Sequence, residues 1–295
     1  MNDFKPIELD DKEVFSTFLA KDPPETSELT FTNLFMWRQC YHTIWRLWDN
    51  CLLIIMNPGN EGPFGLPPVG TGDKSAALDI ISHELKKLGT DGKICRVGEA
   101  FCQNHLNTDR YRMTADRDNS DYVYLSKDLI ELAGNKYHGK KNHLNKFVKS
   151  HEFEYRRLDA PLVGTFLEMQ NNWCELRKCI ENPELLAEDR AVYEALTNYE
   201  HLDFVGAAIL IGSKAEAFAL GEPLNEDTMV IHIEKANPEI PGLYTAINQR
   251  FCADACAPFK YVNREQDLGV EGLRKAKQSY HPHHLVNKFT LIPKR

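Results

Sequence analysis

His232 and Glu234 lie two residues apart in the run MVIHIEK, residues 229–235. On a strand that spacing puts both side chains on one face. Either group could then accept a proton, directly or through a water molecule. A packed core histidine beside a surface glutamate has the same spelling, and both readings stand at this level. Lys235, Ala236 and Asn237 then lead through a Pro-containing loop to Gly242, Leu243 and Tyr244. Leu243, Ile247 and Phe251 recur at helical spacing, so a helix opens there. A strand, a loop and a helix start in that order direct free backbone N–H groups and the positive helix end at an anion. Gly242 permits close backbone approach, and Pro241 falls where a missing N–H costs nothing. A plain loop-to-helix junction would look alike, since no Gly-x-Gly fingerprint is present. Arg274 and Lys277 lie at i and i+3 of a later helix and could meet a phosphate or a carboxylate. Tyr280 ends that helix, where the residues alone read as a packing aromatic. Asn263 and Asp267 flank its approach. Together these types describe proton transfer beside a bound anion.

The strongest charge anomaly lies upstream. Residues 134–157 hold seven Lys or Arg against two Glu, within a chain of net charge −8. Lys140 and Lys141 sit at its centre, with Tyr137 and His138 interleaved. Such a segment is either a solvated linker helix or a cationic wall that meets phosphate or a tRNA backbone.

The elements that must position these residues follow from periodicity. Strands are predicted at 4–9, 41–48, 51–56, 93–99 and within 111–125, with helices at 12–20, 26–37 and 75–88. The stretch 57–73 is dense in Gly and Pro and reads as a loop or short edge strand. A short helix at 126–132 and the basic segment follow. The second half then reads strand (153–159), helix (163–179), helix (182–199), a hairpin around Gly212-Ser213-Lys214, a third strand, the helix at 243–253, a strand (259–263), a helix (269–280) and a closing strand.

That order, with the segment YVNREQDLGVEGLRKAKQSYHP and with DYVYLSKDLIELAGNKYHGKKNHLNKF, resembles the C-terminal domain of the lysylphosphatidylglycerol synthases. These are tandem GNAT-like (GCN5-related N-acetyltransferase) proteins akin to the Fem peptidyltransferases. The resemblance implies an α+β fold of two mixed sheets flanked by helices. It implies a degenerate half at 1–125, a basic helical linker at 126–150, and a half with the donor site at 151–295. The activity implied is acyl or aminoacyl transfer from a coenzyme A or tRNA donor to an amine or hydroxyl acceptor, such as a small molecule or lipid headgroup. A ligand-binding module that kept the fold and lost the chemistry is the alternative. On this resemblance His232, Glu234 and Tyr280 would be catalytic, with Tyr280 protonating the leaving group. Lys235, Ala236, Asn237, Gly242, Leu243 and Tyr244 would hold coenzyme A or acyl-CoA. Lys140, Lys141, Asn263, Arg274 and Lys277 would serve substrate or anion, and tRNA would meet residues 134–157. The multi-pass membrane domain of the related lysyltransferases has no counterpart here, which bears on the lipid acceptor.

Composition sets the remaining bounds. A chain of 295 residues, 42% apolar and 10% aromatic, suffices for one large or two ordinary domains. Its acidic balance excludes a global cationic field. No apolar run approaches the ~18 residues of a membrane helix, and the charged start lacks a signal-peptide core, so a cytoplasmic protein is expected. The eight cysteines show no metal-binding spacing, and no disulfide and no metal are expected. His281, His283 and His284 read as a polar turn before a strand.

Overall fold

The computed structural model describes residues 3–59 and 62–294. Asn60 and Glu61, inside the expected loop, lie outside the described residues. The chain divides into two contact-defined units. One comprises Met1–Asp121, Gln266–Gly269 and Leu285–Arg295, and the other Tyr122–Glu265 and Val270–His284.

The first sheet has eight strands, in the order Lys5–Pro6, Ile44–Trp48, Cys51–Met56, Phe64–Gly65, Ile94–Gly98, Lys288–Pro293 and Tyr111–Ala115, with Val69–Gly70 pairing to Cys51–Met56. It is mixed, because Phe64–Gly65 runs parallel to Ile94–Gly98 while the central pairs are antiparallel. Alternation places Cys51, Leu53 and Ile55 on one face. They pack there against Ala77, Leu78, Ile81 and Leu85 of the helix Lys74–Lys87. Asp73 caps that helix by accepting from Ala76 N–H at 3.0 Å. Gly89, at φ +80°, follows its end. Leu88, at the edge of the predicted apolar stripe, is left 44% exposed.

The second sheet runs His284–Val286, Asp121–Leu125, Tyr261–Asn263, Thr228–Ala236, Lys214–Pro223, Val205–Ile211 and Glu154–Arg157. The hairpin closes on a two-residue turn, Gly212-Ser213, with Ile211 opposite Lys214. Thr228–Ala236 and Tyr261–Asn263 are parallel. On one face Phe166, from the helix Val163–Arg177, packs on Phe218 at 5.4 Å between ring centres.

Four expectations change. The closing strand, expected in the second half, lies in the first sheet between Ile94–Gly98 and Tyr111–Ala115. Its Leu291 is fully buried in the first core and its Lys288 is held by carboxylates there. Asp121–Leu125, expected to close the first half, pairs with Tyr261–Asn263 in the second sheet. The basic stretch expected as a linker holds the helix His138–Ser150, which is part of the second unit and anchored by the fully buried Phe147. The cysteine reading is corrected at one pair: Cys174 and Cys179 form a disulfide with Cα atoms 5.0 Å apart. The helix turns over at Lys178, whose positive φ brings the two thiols together across five residues.

Candidate acyl-transfer site

The parallel pair in the second sheet is short on one side. Thr228, Met229 and Val230 pair with Tyr261, Val262 and Asn263, and the pairing ends there. The strand Thr228–Ala236 continues, held only by Lys214–Pro223 on its other side. Beyond Val230 the parallel pairing stops, and the side chains of Arg264 and Asn248 reach the continuing strand.

Glu234 projects on that part of the strand. Its Oε1 accepts from Arg264 Nη2 at 2.9 Å, and its Oε2 accepts from Asn248 Nδ2 at 2.8 Å. Arg264 follows directly on the strand Tyr261–Asn263, so its bond to Glu234 ties the end of that strand to Thr228–Ala236. Arg264 Nη1 and Asn248 Oδ1 are buried and have no hydrogen-bond partner among the described residues. Burial opposes the charge of Arg264, but Glu234 outweighs it and the guanidinium stays protonated. Its centre lies 4.6 Å from the Tyr280 ring centre and 5.6 Å from that of Tyr124. Lys140 Nζ lies 3.9 Å from the Tyr280 ring centre. Burial, then the neighbouring Arg264 charge, pulls Lys140 down to about 8 against the pull of Glu234. Burial pushes the Tyr280 hydroxyl up to about 12, although Arg264 acts the other way. A donor with an unmade hydrogen bond, a lysine whose basicity is lowered to about 8 and a phenol thus converge on one place. A buried polar group left unpaired within the protein is a place where a water, an ion or a ligand can bind.

The remaining expected site residues divide. His232 shares the face of Glu234, but both ring nitrogens are taken. Nδ1 lies 2.7 Å from Glu265 Oε1 and Nε2 lies 2.9 Å from Glu222 Oε1. Burial would lower its basicity, but the two carboxylates outweigh burial and push it up to about 9. An imidazolium donating to two carboxylates has no lone pair for a substrate proton, so the proton-acceptor reading does not fit and His232 acts as a clamp. Asn263 Oδ1 accepts from Glu265 N–H at 2.8 Å, and Lys277 Nζ donates to the backbone carbonyls of Arg264 and Glu265. Both hold the turn that aims Arg264. Arg274 is half-buried on the helix Glu271–Gln278, and Lys141 is exposed.

Six residues were expected to hold a pyrophosphate, and the structure commits most of them to the protein. Lys235 points to the opposite face, pairs with Glu188, and sits 3.6 Å from the Trp173 ring centre. Ala236 and Leu243 are fully buried. Asn237 bonds Glu216 through its backbone N–H and its side chain, both at 2.8 Å. The Tyr244 hydroxyl accepts from the Trp173 indole at 3.1 Å. Gly242 has φ +88°, and a Cβ there would come 2.3 Å from the His143 carbonyl oxygen. The helix His138–Ser150 occupies the space the glycine was expected to open for a ligand. Gly242→Ala is accordingly expected to cost at least ~2 kcal/mol of stability, since a left-handed residue costs about 1–2 kcal/mol before any clash. Urea unfolding measures this. An unchanged midpoint would show that the His143 carbonyl withdraws freely and that the glycine is open to a ligand after all.

Arg264 and Asn248 escaped the sequence reading as site residues. Arg264 stands inside YVNREQDLG, the motif that carries the resemblance, but nothing in its spacing marks it as buried. Asn248 lies on the inner face of a helix where only apolar residues signal burial.

A family model described as phosphatidylglycerol lysyltransferase, C-terminal, matches residues 22–292. A conserved protein of unknown function from Bacteroides thetaiotaomicron VPI-5482 is 33% identical, with 99% of each chain covered and a TM-score of 0.91. L-PGS from Bacillus licheniformis is 12% identical over 95% of this chain and 91% of its own, with a TM-score of 0.66. FemX is 10% identical over 98% of this chain and 97% of its own, with a TM-score of 0.59. The last two show the tandem GNAT-like fold. No curated protein matches the sequence. Among the described residues no helix is long and apolar enough to cross a membrane.

Proposed function

The chain belongs to the phosphatidylglycerol lysyltransferase, C-terminal family, and on that premise we propose that it is an acyltransferase whose transfer site is the Glu234–Arg264–Lys140–Tyr280 cluster. The single observation that carries this is the unpartnered, buried Nη1 of Arg264 beside a lysine whose basicity is lowered to about 8. Neutral Lys140 takes the proton of the attacking hydroxyl or amine. The nucleophile bonds to the acyl carbonyl carbon, and Arg264 Nη1 donates to the oxygen that gains charge. The acyl–oxygen bond of the donor ester then breaks, and the Tyr280 hydroxyl protonates the leaving oxygen. Lys140 can return that proton to Tyr280, so the site resets. The acceptor that fits the family is a lipid headgroup. The donor is an aminoacyl ester rather than a coenzyme A thioester, because the loop expected to cradle a pyrophosphate is packed against the helix His138–Ser150.

The test incubates the protein with phosphatidylglycerol vesicles and a labelled aminoacyl-tRNA pool, and in parallel with acetyl-coenzyme A and a panel of amines. Label should enter the lipid in the first arm. Transfer only in the second arm would overturn the donor assignment, and transfer in neither would overturn the reading. In the active arm the rate should rise as pH passes through about 8, because Lys140 must be neutral to accept the proton. Lys140→Arg, which cannot deprotonate there, should lose that limb and lower the rate on the order of 10²-fold.

A further inference from the structure

Arg264 is followed by a residue in a costly backbone conformation. Glu265 has φ +56°, the left-handed region that residues other than glycine rarely adopt. Such a residue persists where its surroundings over-determine it, and it marks working sites more often than idle ones. Glu265 N–H donates to Asn263 Oδ1 at 2.8 Å, and its carbonyl accepts from Tyr122 N–H at 3.1 Å. Arg264 N–H donates to the Tyr122 carbonyl at 2.9 Å. The Glu265 side chain adds a tie from another strand, with Oε1 at 2.7 Å from His232 Nδ1. Behind that ring stands Glu222, from the strand Lys214–Pro223, with Oε1 at 2.9 Å from Nε2. One imidazole thus joins two carboxylates, and one of them belongs to the residue that follows Arg264.

We propose that Glu265 is a positioning residue for Arg264 and that the His232 ring is its latch, closed while the ring holds both protons and open once it has lost one. This rests on the transfer site proposed above and adds its regulation by pH. At the observed distances each carboxylate needs an N–H to meet it. A neutral imidazole has one N–H and one lone pair. When the ring gives a proton to solvent, one carboxylate faces a lone pair and must withdraw. Glu265 is the one that can, because its side chain is 19% exposed against 7% for Glu222, and water can replace the lost bond. Nε2–H then stays with Glu222. With its side chain released, Glu265 can leave the left-handed region, and Arg264 Nη1 loses its aim. The other charges nearby are engaged elsewhere. Lys277 meets the same turn at its backbone carbonyls, and Glu234, on the face of His232, is held by Arg264 and Asn248. Burial lowers the basicity of His232, but Glu222 and Glu265 outweigh burial and push it up to about 9. The latch is therefore closed at neutral pH and opens as pH rises through about 9.

The experiment is an NMR titration of the intact chain, labelled with ring-¹³C histidine and ¹⁵N arginine, from neutral to alkaline pH. It needs no acyl donor, so it stands even if the transfer reading fails. The His232 ring should titrate near pH 9, and the Arg264 Nε–H signal should shift with the same midpoint. Lys140 titrates nearby at about 8, so the titration is repeated in Lys140→Arg, where that step is absent. Glu222→Gln keeps an oxygen for Nε2–H but removes one charge, and should lower both midpoints together by about one pH unit or more. In the active transfer arm kcat should fall above about pH 9 with KM unmoved, and that fall should shift to lower pH in Glu222→Gln. A brace with no part in aiming Arg264 would instead lower the rate equally at every pH. A ring that holds only one proton at pH 7, or an Arg264 signal unmoved while His232 titrates, would overturn the proposal. Both are read without Glu222→Gln, should that variant fail to fold. An Arg264 midpoint that stays in place while that of His232 moves would overturn it too.

Discussion

Arg264→Lys is expected to lower acyl transfer by a factor on the order of 10²–10³, the usual cost of removing one donor to a developing oxyanion, while the protein stays folded. The guanidinium does two things with two nitrogens. Nη2 holds Glu234 at 2.9 Å, and Nη1 is buried with its hydrogen bond unmade. Lysine keeps the positive charge that Glu234 requires, so the carboxylate is not stranded. It cannot present a planar fork, and so it gives up the second donor, Nη1. Arg264→Met would be a poorer test, because an uncompensated buried carboxylate costs about 3–5 kcal/mol by itself. The loss should fall on kcat, with little change in KM, if Nη1 meets charge that exists only in the transition state. Transfer within threefold of the unaltered protein would show that Arg264 only braces Glu234. The site would then have to lie elsewhere.

The fold was legible because its signals are local and periodic. The apolar alternation of 51–56, the stripe of the helix Lys74–Lys87 and the hairpin around Gly212 each spell their element in a few consecutive residues. Element order then sufficed to suggest a tandem GNAT-like arrangement, which the family and the tandem-fold neighbours bear out. What periodicity does not carry is which sheet a strand joins. KFTLIP alternates like any half-buried strand, and its place in the first sheet depends on Lys288 meeting carboxylates far away in sequence. The site was legible in part. His232 and Glu234 were rightly put on one face, and Lys140 and Tyr280 were both singled out. Their roles depended on partners that spacing cannot reveal: Glu222 and Glu265 for His232, Arg264 and Asn248 for Glu234. Gly242 teaches the same lesson. A glycine before a helix reads as room for a ligand, but its reason here is the backbone of another helix.

Lys288→Met should destabilise the protein by about 3–5 kcal/mol, the typical cost of removing one member of a buried ionic network. Lys288 is 1% exposed, yet it carries a full charge. Its Nζ bonds both oxygens of Glu28 at 2.7 Å and Asp121 Oδ1 at 2.6 Å. Ser27 adds its hydroxyl and its backbone N–H to Asp121, both at 2.9 Å, and Arg96 Nε stands 3.7 Å from Glu28. Two cations thus balance two carboxylates in the interior of the first unit. Methionine fills the volume of the lysine stem, so little of the loss would come from a cavity. The loss would come from two carboxylates left with one cation. Burial already raises the Glu28 carboxyl above its usual range against the pull of Lys288, and without the lysine it would rise further. That fixes the sign of the pH effect. A carboxyl whose folded pKa lies above its unfolded value destabilises the fold above that pKa and ceases to do so once protonated. The gap between variant and unaltered protein should therefore be widest near pH 8 and narrow as pH falls toward 5. Urea unfolding at both values measures it. A gap below about 1 kcal/mol at pH 8, within the range of ordinary surface substitutions, or one that widens on acidification, would mean that the closing strand is held by apolar packing alone.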